Sequence, residues 1–299
     1  MRIFLTGATG YLGSAALDAF VRAGHEVTGL VRSREQAERL AARGVHAIVG
    51  SISEPKTYKK AAAGFDGHVH AAFEYSDRGA AADLTAIETI MAAARPGAVF
   101  LYTSGVWVLG HQRTPVDETA TVNPTPMVAW RPDHERRVLE AGRARVRAIV
   151  VRPGIVYGGA RGIVSDLFKD AANGLMRLIG GGENHWPLVY ERDLGELYLR
   201  LVTTPDAAGI YHATDEGDER IADIVEAIAA CAATRPEIRR MPLEEARTKM
   251  GPYADALALD QLVRSPRARA LGWTPTLRSV TDNASRLMKE WRRGQQVEG

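Results

Sequence analysis

TGATGYLG, residues 6–13, decides the fold. A short apolar run, Arg2–Thr6 (RIFLT), leads into it, and such a run is typical of a strand buried on both faces. A pattern of small and apolar residues then continues from Tyr11 to Ala23 and predicts a helix. The quoted stretch is therefore predicted to be the turn that joins a first strand to a first helix.

The three glycines of this turn have the spacing of a phosphate cradle. Gly7 allows a tight turn, Gly10 lets the backbone approach a pyrophosphate, and Gly13 lets the helix pack closely on the strand. The unpaired N–H groups and the positive end of the helix then face the anion. The turn thus predicts dinucleotide binding, with the candidate residues Gly7, Thr9, Gly10, Tyr11, Leu12 and Gly13.

Short apolar runs alternate with helical patterns through the first half of the chain. The further strands are predicted at His25–Val31, Val45–Val49, Gly67–Ala71, Ala98–Thr103 and Val146–Arg152, and helices at Arg34–Arg43 and Thr85–Ala94. Strands that alternate with helices predict a parallel sheet with helices on both faces. The predicted fold class is α/β, with a Rossmann-type doubly wound parallel sheet.

The pattern loosens after Pro153 and predicts a second part of the molecule. We expect a dinucleotide-binding domain over residues 1–158 and a small C-terminal substrate-binding lobe over residues 159–299, above the carboxyl edge of the sheet where ligands of such sheets bind. Residues 187–213 are expected to return to the main sheet through a strand at Gly209–Ala213. A helix is predicted at Glu219–Ala233.

Composition excludes several classes of protein. The 299 residues carry 38 basic and 36 acidic side chains, a net charge of +2, so no strong field favours nucleic acid or an anionic membrane. A single cysteine excludes an internal disulfide. No apolar run approaches the ~18 to 20 residues of a membrane span, and the N-terminus lacks the pattern of a signal peptide. We therefore expect a cytoplasmic protein with a small-molecule substrate and no nucleic-acid or membrane partner.

The end of the second predicted strand indicates which dinucleotide binds. NAD-binding domains place an Asp or Glu about 20 residues after the glycines, where it binds the ribose hydroxyls. Here the sequence reads Leu30-Val31-Arg32-Ser33-Arg34, without a carboxylate. Arg32 can pair with a 2′-phosphate, and Ser33 can add a hydrogen-bond donor. We therefore expect NADP(H) rather than NAD(H).

Four ordered motifs together carry a family resemblance. They are TGATGYLG at residues 6–13, DGHVHAA at 66–72, YTSGVWVLG at 102–110 and VRPGIVYG at 151–158. The later stretches HWPLVYERDLGELY, GIYHATDEG and ALGWTP extend the similarity over nearly the whole chain. The sequence resembles the extended short-chain dehydrogenase/reductase superfamily, which includes nucleotide-sugar epimerases and dehydratases. The motifs are specific for the fold and not for the substrate.

The resemblance implies roles for particular residues. Ser104 matches the serine that holds the substrate oxygen. Further cofactor contacts are implied at His70, Ala71, Ala72, Thr103, Pro153, Gly154 and Val156. Substrate contacts are expected at Phe73, Val106, Trp107, Trp130, His185 and Tyr190.

The sequence departs from the family at the catalytic pair, a Tyr with a Lys four residues later. Neither residue type occurs between Tyr102 and Tyr157, and the matching positions hold Trp130 and His134. The chain therefore resembles the atypical subgroup that lacks the usual proton donor. An indole N–H does not give up a proton at neutral pH, whereas His134 can bind the ribose and relay a proton. Pro132 is expected to keep the residue before it out of helical geometry, so that Trp130 precedes the helix.

Other interpretations of these positions stay open. Trp130 and His134 can both be structural, with catalysis lost or carried by other groups, among which Tyr157, His185 and Tyr190 are candidates. His68 and His70 share a strand face, but no third ligand is evident and no metal site is expected.

Three functions compete on this reading. The first is an NADP(H)-dependent reductase of a small carbonyl, imine or activated alkene. The second is an epimerase or dehydratase that retains NAD and acts on a nucleotide sugar, and the third is a dinucleotide-binding regulator without turnover. The missing Tyr and Lys weigh against the second, so we favour an oxidoreductase. A homodimer is expected through Ala-rich faces of the helices that begin near Asp83 and Pro132.

Overall fold

The strand before the glycine turn lies in the middle of a seven-stranded sheet. A computed structural model describes residues 1–142 and 145–298, and the side chains of residues 1–142 and 145–296. The strands are β1 (Arg2–Thr6), β2 (Glu26–Val31), β3 (His46–Val49), β4 (Gly67–His70), β5 (Val99–Thr103), β6 (Gln112–Val116), β7 (Arg147–Pro153), β8 (Ile155–Tyr157), β9 (Leu175–Ile179), β10 (His185–Trp186), β11 (Leu188–Tyr190), β12 (Gly209–Ala213), β13 (Glu219–Arg220), β14 (Glu237–Met241) and β15 (Gln261–Val263).

The helices alternate with the strands of the first half, as predicted. They are α1 (Tyr11–Arg22), α2 (Arg34–Ala41), α3 (Gly79–Ala93), α4 (Arg131–Gly142), α5 (Ile163–Ala172), α6 (Glu191–Thr203), α7 (Ile221–Ala230), α8 (Leu243–Met250), α9 (Tyr253–Leu257), α10 (Pro266–Ala270) and α11 (Val280–Glu298). The main sheet has the order β12-β7-β5-β4-β1-β2-β3. Every neighbouring pair from β3 to β7 is parallel. The predicted α/β class with a Rossmann-type sheet is confirmed.

The order of the strands reverses at β1, whose neighbours are β2 and β4. Side chains on both faces of β1 are buried, with Ile3, Phe4 and Leu5 all at 0% exposure, which explains the uninterrupted apolar run. Ligands of open α/β sheets bind at such a reversal, beside the carboxyl ends of the strands. The glycine turn therefore leaves the sheet at the position where a ligand site is expected.

Three predicted helix boundaries were wrong. Helix α3 begins at Gly79 rather than at Thr85, because the small and apolar residues before Thr85 continue the helical pattern. The predicted helix at 219–233 begins only at Ile221, because Glu219 and Arg220 pair as β13 with β10. Arg131 is the first residue of α4 and is not kept out of it by Pro132, since proline is tolerated in a first helical turn. Trp130 does precede the helix, as predicted.

The chain divides into two compact units that are interleaved along the sequence. The sheet unit consists of Met1–Ser104, Trp130–Arg152 and Leu194–Tyr211, and the second unit of Gly105–Ala129, Pro153–Asp193 and His212–Gly299. This division differs from a single boundary after residue 158, because the segment that follows β5 already belongs to the second unit. The strand predicted at Gly209–Ala213 is the edge strand β12 of the main sheet.

The second unit contains two-stranded sheets and its own apolar core. Its sheets pair β10 with β13, β11 with β8, β14 with β9 and β15 with β6. Buried side chains of α5, α7 and α11 form the core, including Phe168, Ile224 and Leu287. Of the helices in the described ranges, none is long and apolar enough to cross a membrane.

Candidate active site

The glycine turn has the geometry of a phosphate cradle. Gly7 has a φ of +74°, and a Cβ there would lie 2.7 Å from the carbonyl oxygen of Ala71. A Cβ on Gly13 would lie 2.0 Å from the oxygen of Gly7, so the helix approaches the turn too closely for any side chain. Gly10 is the N-cap residue of α1 and has no side chain that could cap the amides of that helix. A helix N-terminus that follows a glycine turn suits an anion, so the residues present fit a dinucleotide.

The remaining predicted residues of the cradle surround this turn. Thr9, Tyr11 and Leu12 are half-buried on it. The backbone of Ala71 and Ala72, just beyond β4, packs directly against Gly7. The side chain of Thr6 links the two strand ends, because its Oγ1 accepts the N–H of Ala72 at 3.3 Å.

Arg32 and Ser33 follow β2 at the same edge of the sheet. Arg32 is exposed, and its guanidinium forms no ion pair within the described part of the chain. The Ser33 hydroxyl caps α2 by accepting the N–H of Gln36 at 3.2 Å, which still leaves the hydroxyl proton for a ligand. Both residues can therefore act as predicted, and Ser33 has a structural role that sequence reasoning missed.

A buried carboxylate on α3, Asp83, connects several of the predicted residues. Its Oδ1 accepts a hydrogen bond from His70 Nε2 at 3.2 Å. Its Oδ2 accepts hydrogen bonds from His134 Nδ1 at 2.7 Å and from the Tyr102 hydroxyl at 2.9 Å. Asp83, His70 and His134 are 1%, 1% and 6% exposed, so this network lies in the protein interior.

The network fixes the protonation of both imidazoles. Burial raises the pKa of Asp83, but the hydrogen bonds from His134 and His70 outweigh burial and hold that pKa below its usual range. An ionised carboxylate only accepts hydrogen bonds, so His134 carries a proton on Nδ1 and His70 on Nε2. His70 Nδ1 then accepts the hydroxyl proton of Thr6, at 2.6 Å. For His134, the nitrogen left for acid–base chemistry is Nε2.

Both ring nitrogens of His70 thus form hydrogen bonds, one with Thr6 and one with Asp83. Sequence comparison implies a cofactor contact at this position, and with an exposure of 1% the imidazole itself is not on the surface. The neighbouring Tyr102 is buried as well, and burial raises the pKa of its hydroxyl well above the ordinary value. Tyr102 therefore retains its proton and orients Asp83.

Ser104, at the end of β5, belongs to a second buried cluster. Its hydroxyl donates to Glu135 Oε1 at 2.5 Å. Glu135 is held by Arg152, whose Nε and Nη2 lie 3.0 and 2.5 Å from its two carboxylate oxygens. Because the single Ser104 proton is directed to Glu135, Ser104 presents an acceptor rather than a donor to a ligand. Thr103, next to it, hydrogen-bonds with the Tyr198 hydroxyl at 2.8 Å.

Trp130 forms an aromatic cluster with Phe73 immediately before α4. The two rings are nearly parallel, at 6° with centroids 5.6 Å apart, and both side chains are half-buried. The ring of His134 lies 4.7 Å from that of Trp130. The structure thus brings together two predicted substrate residues and the predicted proton relay.

The predicted residues of the second unit have mainly structural partners. Pro153, Val106 and Val156 are buried, and Trp107 is half-buried. Gly154 allows a close backbone approach, since a Cβ there would lie 2.3 Å from the oxygen of Pro187. His185 Nδ1 pairs with Asp260 Oδ1 at 2.9 Å.

The two tyrosines considered as replacement acids are poor proton donors. Tyr157 is fully buried, and burial together with the Asp215 carboxylate raises its pKa. Burial and the Glu290 carboxylate raise the pKa of Tyr190 to about 12. Neither hydroxyl would release a proton readily near neutral pH.

Sequence reasoning missed Asp83, Arg131 and the pair Glu135–Arg152. Asp83 lies among small and apolar residues in the first half of α3, and a carboxylate on a buried helix face is a signal of a buried partner. In the described part of the chain, no group of three or more His, Cys, Asp or Glu side chains is arranged to hold a metal ion.

Comparison with known proteins gives a family match. The profile of the NAD dependent epimerase/dehydratase family matches residues 3–214. An uncharacterised protein of Schizosaccharomyces pombe is 33% identical over 296 residues, which cover 95% of this chain and 99% of that protein. A 4-hydroxy-2-methyl-3-oxo-4-farnesyl-3,4-dihydroquinoline-1-oxide ketoreductase of Stigmatella aurantiaca is 27% identical and covers 97% of this chain and 91% of its own.

Solved structures share the fold. The UDP-glucose 4-epimerase of Thermus thermophilus, in complex with NAD, superimposes with a TM-score of 0.81 at 19% identity. The match covers 98% of this chain and 99% of the epimerase.

Proposed function

Because this chain belongs to the NAD dependent epimerase/dehydratase family, within the short-chain dehydrogenase/reductase superfamily, we propose that it is an NADP(H)-dependent reductase of a small carbonyl compound. Family membership confirms the coarser prediction of an NAD(P)-dependent oxidoreductase. One observation supports the reductase most strongly: His134 donates Nδ1–H to the buried Asp83 at 2.7 Å, at the position where the family has its Lys.

The His134–Asp83 pair supplies the proton that the missing Tyr would have given. A carboxylate bound to one imidazole nitrogen fixes the tautomer and stabilises the imidazolium, and the other nitrogen then exchanges a proton with the substrate. The reduced nicotinamide, when bound, supplies the two electrons of the reduction. His134 donates its Nε2 proton to the carbonyl oxygen, while Asp83 acts as a positioning residue that remains ionised.

The choice of cofactor rests on Arg32 and Ser33. The exposed Arg32 guanidinium, without an ion-pair partner in the described ranges, suits a 2′-phosphate. No carboxylate occupies residues 30–34, where the family's NAD-binding members place one. Both features favour NADP(H).

Two observations favour a ketone over the alternatives. A relative that aligns over nearly the whole chain is named a ketoreductase. An epimerase or dehydratase that retains NAD needs a strong base to start by oxidising its substrate, and the chain has neither the Tyr nor the Lys for it. A regulator without turnover would have no use for a carboxylate–imidazole pair beside the cofactor residues.

Cofactor analysis and turnover test the proposal together. The purified protein is first denatured and the released dinucleotide identified, and NADPH consumption is then followed with a panel of small ketones, aldehydes, imines and activated alkenes. We expect little retained NAD and NADPH-dependent formation of an alcohol from at least one ketone. Stoichiometric retained NAD would support the epimerase or dehydratase instead, and the absence of any turnover would support the regulator.

A further inference from the structure

Arg131, the first residue of α4, is a half-buried cation that forms no ion pair with any carboxylate in residues 1–142 and 145–296. Its Nη1 donates to the carbonyl oxygen of Thr103 at 3.1 Å and to the Tyr102 hydroxyl at 3.3 Å. Across the described ranges no carboxylate lies within ion-pair distance of it. Asp83 is separated from it by the Tyr102 hydroxyl, and both oxygens of Asp83 already accept other hydrogen bonds. The Nε–Nη2 edge of Arg131, which matches a carboxylate, is therefore left for a ligand.

The guanidinium lies over the aromatic cluster. Its Cζ is 4.4 Å from the centroid of the Trp130 ring and 5.4 Å from that of Phe73. These cation–π contacts hold the cation without neutralising its charge. The two rings are parallel and half-buried, so the part of them that Arg131 leaves accessible is an apolar surface beside a positive charge. This combination suits a planar ligand that carries a negative charge.

The same residues lie next to the proposed chemistry. Arg131 is bound to the end of β5, directly before Ser104. Ser104 offers an acceptor, because its proton is donated to Glu135. The Trp130 ring also packs on the ring of His134, the proposed proton donor. The cation and the proposed proton donor thus both contact the Trp130 ring.

We infer that Arg131 is the substrate-binding anion receptor of this enzyme, and that the substrate is a planar, negatively charged carbonyl compound, such as a conjugated oxo acid. This inference rests on the proposed function for the chemistry, but the binding step needs no turnover. The anionic oxygens bind the Nε–Nη2 edge of Arg131, and the conjugated plane lies on Trp130.

Calorimetric binding of two probes to the NADP⁺-saturated protein tests the inference. The probes are 2-naphthoate, a planar anion, and its methyl ester, a neutral compound of similar shape. We expect the wild-type protein to bind the acid at least about tenfold more tightly than the ester. Arg131→Gln should remove this preference, Arg131→Lys should retain part of it, and the exposed Arg78→Gln should leave it unchanged.

Separate readouts distinguish folding, cofactor binding and turnover. Thermal unfolding and NADP⁺ titration of Arg131→Gln show whether the variant folds and binds the cofactor, and both should match the wild type closely. The inference is overturned if the wild-type protein binds neither probe or binds both equally, or if Arg131→Gln weakens NADP⁺ rather than the acid. Turnover of an uncharged ketone in that case would leave the proposed function intact.

Discussion

Asp83 is the residue on which the arrangement of the site depends. Its partners are remote in the sequence, because His70 and His134 lie 13 and 51 residues away and only folding brings them to one carboxylate. The glycine turn, in contrast, could be predicted because its geometry depends on residues a few positions apart, whereas the role of Arg32 stays a prediction. Sequence reasoning could therefore not identify the residues that form hydrogen bonds with Asp83.

Replacing Asp83 by Asn should destabilise the protein in a pH-dependent way. The amide cannot accept from both imidazoles and the tyrosine, so we expect a loss of about 2 to 4 kcal/mol in the free energy of unfolding at neutral pH. Because the pKa of Asp83 is lowered on folding from 3.8, its contribution is fully present above that value and is lost as the pH falls below it. Urea unfolding measured from neutral pH to about pH 3 should therefore show that the difference in free energy of unfolding between the wild-type protein and Asp83→Asn becomes smaller.

The exposed Asp133→Asn is the control for this experiment. Its side chain is 75% exposed on the first turn of α4, so its free energy of unfolding should change by no more than about 0.5 kcal/mol. An Asp83→Asn variant as stable as this control would show that the hydrogen-bond network of Asp83 contributes little to the free energy of unfolding.

Arg32→Ala should lower the affinity for NADP(H) by ~10-fold or more and leave NAD(H) nearly unchanged, because a charged hydrogen bond to the 2′-phosphate is lost. Calorimetric titration of both cofactors measures this. The control is Arg39→Ala, on the same region of the chain but paired with Glu35 in α2, which should affect neither cofactor. Equal wild-type affinity for the two cofactors would contradict the assignment.

The strands of the two units and helix α4 show how much of the secondary structure could be predicted from the sequence. The apolar runs correctly indicated the strands of the main sheet, and the burial of both faces of β1, β5 and β7 leaves little ambiguity there. The short strands of the second unit were not predicted, because two- and three-residue pairs such as β10–β13 depend on distant partners. At α4 the expected effect of Pro132 on its predecessor was wrong, because proline is tolerated in the first helical turn and Arg131 begins the helix directly before it.

Restoring the family's pair in the double variant Trp130→Tyr, His134→Lys should not restore the family's chemistry. Residue 130 lies before α4 and packs on Phe73, so a tyrosine there is not aimed from the helix that carries residue 134. A lysine at 134 would pair with Asp83 in the interior. Steady-state kinetics as a function of pH is the measurement, and an active double variant with the pH profile of an ordinary short-chain dehydrogenase would contradict this account.

The molecule as a whole is expected to form a homodimer. The structure changes which helix surface is expected at the interface. The Ala-rich face assumed for both helices is available on α3, at exposed residues such as Ala81 and Ala92. On α4 the exposed residues other than Ala141 are charged, and Arg136 pairs there with Asp133 and Glu140. The dimer stays a prediction, now centred on α3. Light scattering at micromolar concentration should give twice 32.5 kDa, and a mass of 32.5 kDa would refute it.

The interleaving of the two units could not be predicted from motif order. The segments after β5 and β7 belong to the second unit, and the chain returns to the sheet unit each time, with β12 completing the sheet. Sequence patterns give the elements in order, but which unit an element joins depends on contacts with remote segments.

The kcat of His134→Gln, compared with that of the wild-type protein, tests the central claim most directly. Both proteins are measured with NADPH and the ketone found by the substrate panel, because the variant lacks the Nε2 proton that the wild-type imidazole donates to the carbonyl oxygen. His134→Gln should reduce kcat by about 100-fold or more, and Asp83→Asn should lower kcat in the same direction. A His134→Gln variant with the wild-type kcat would contradict the assignment of His134 as the proton donor.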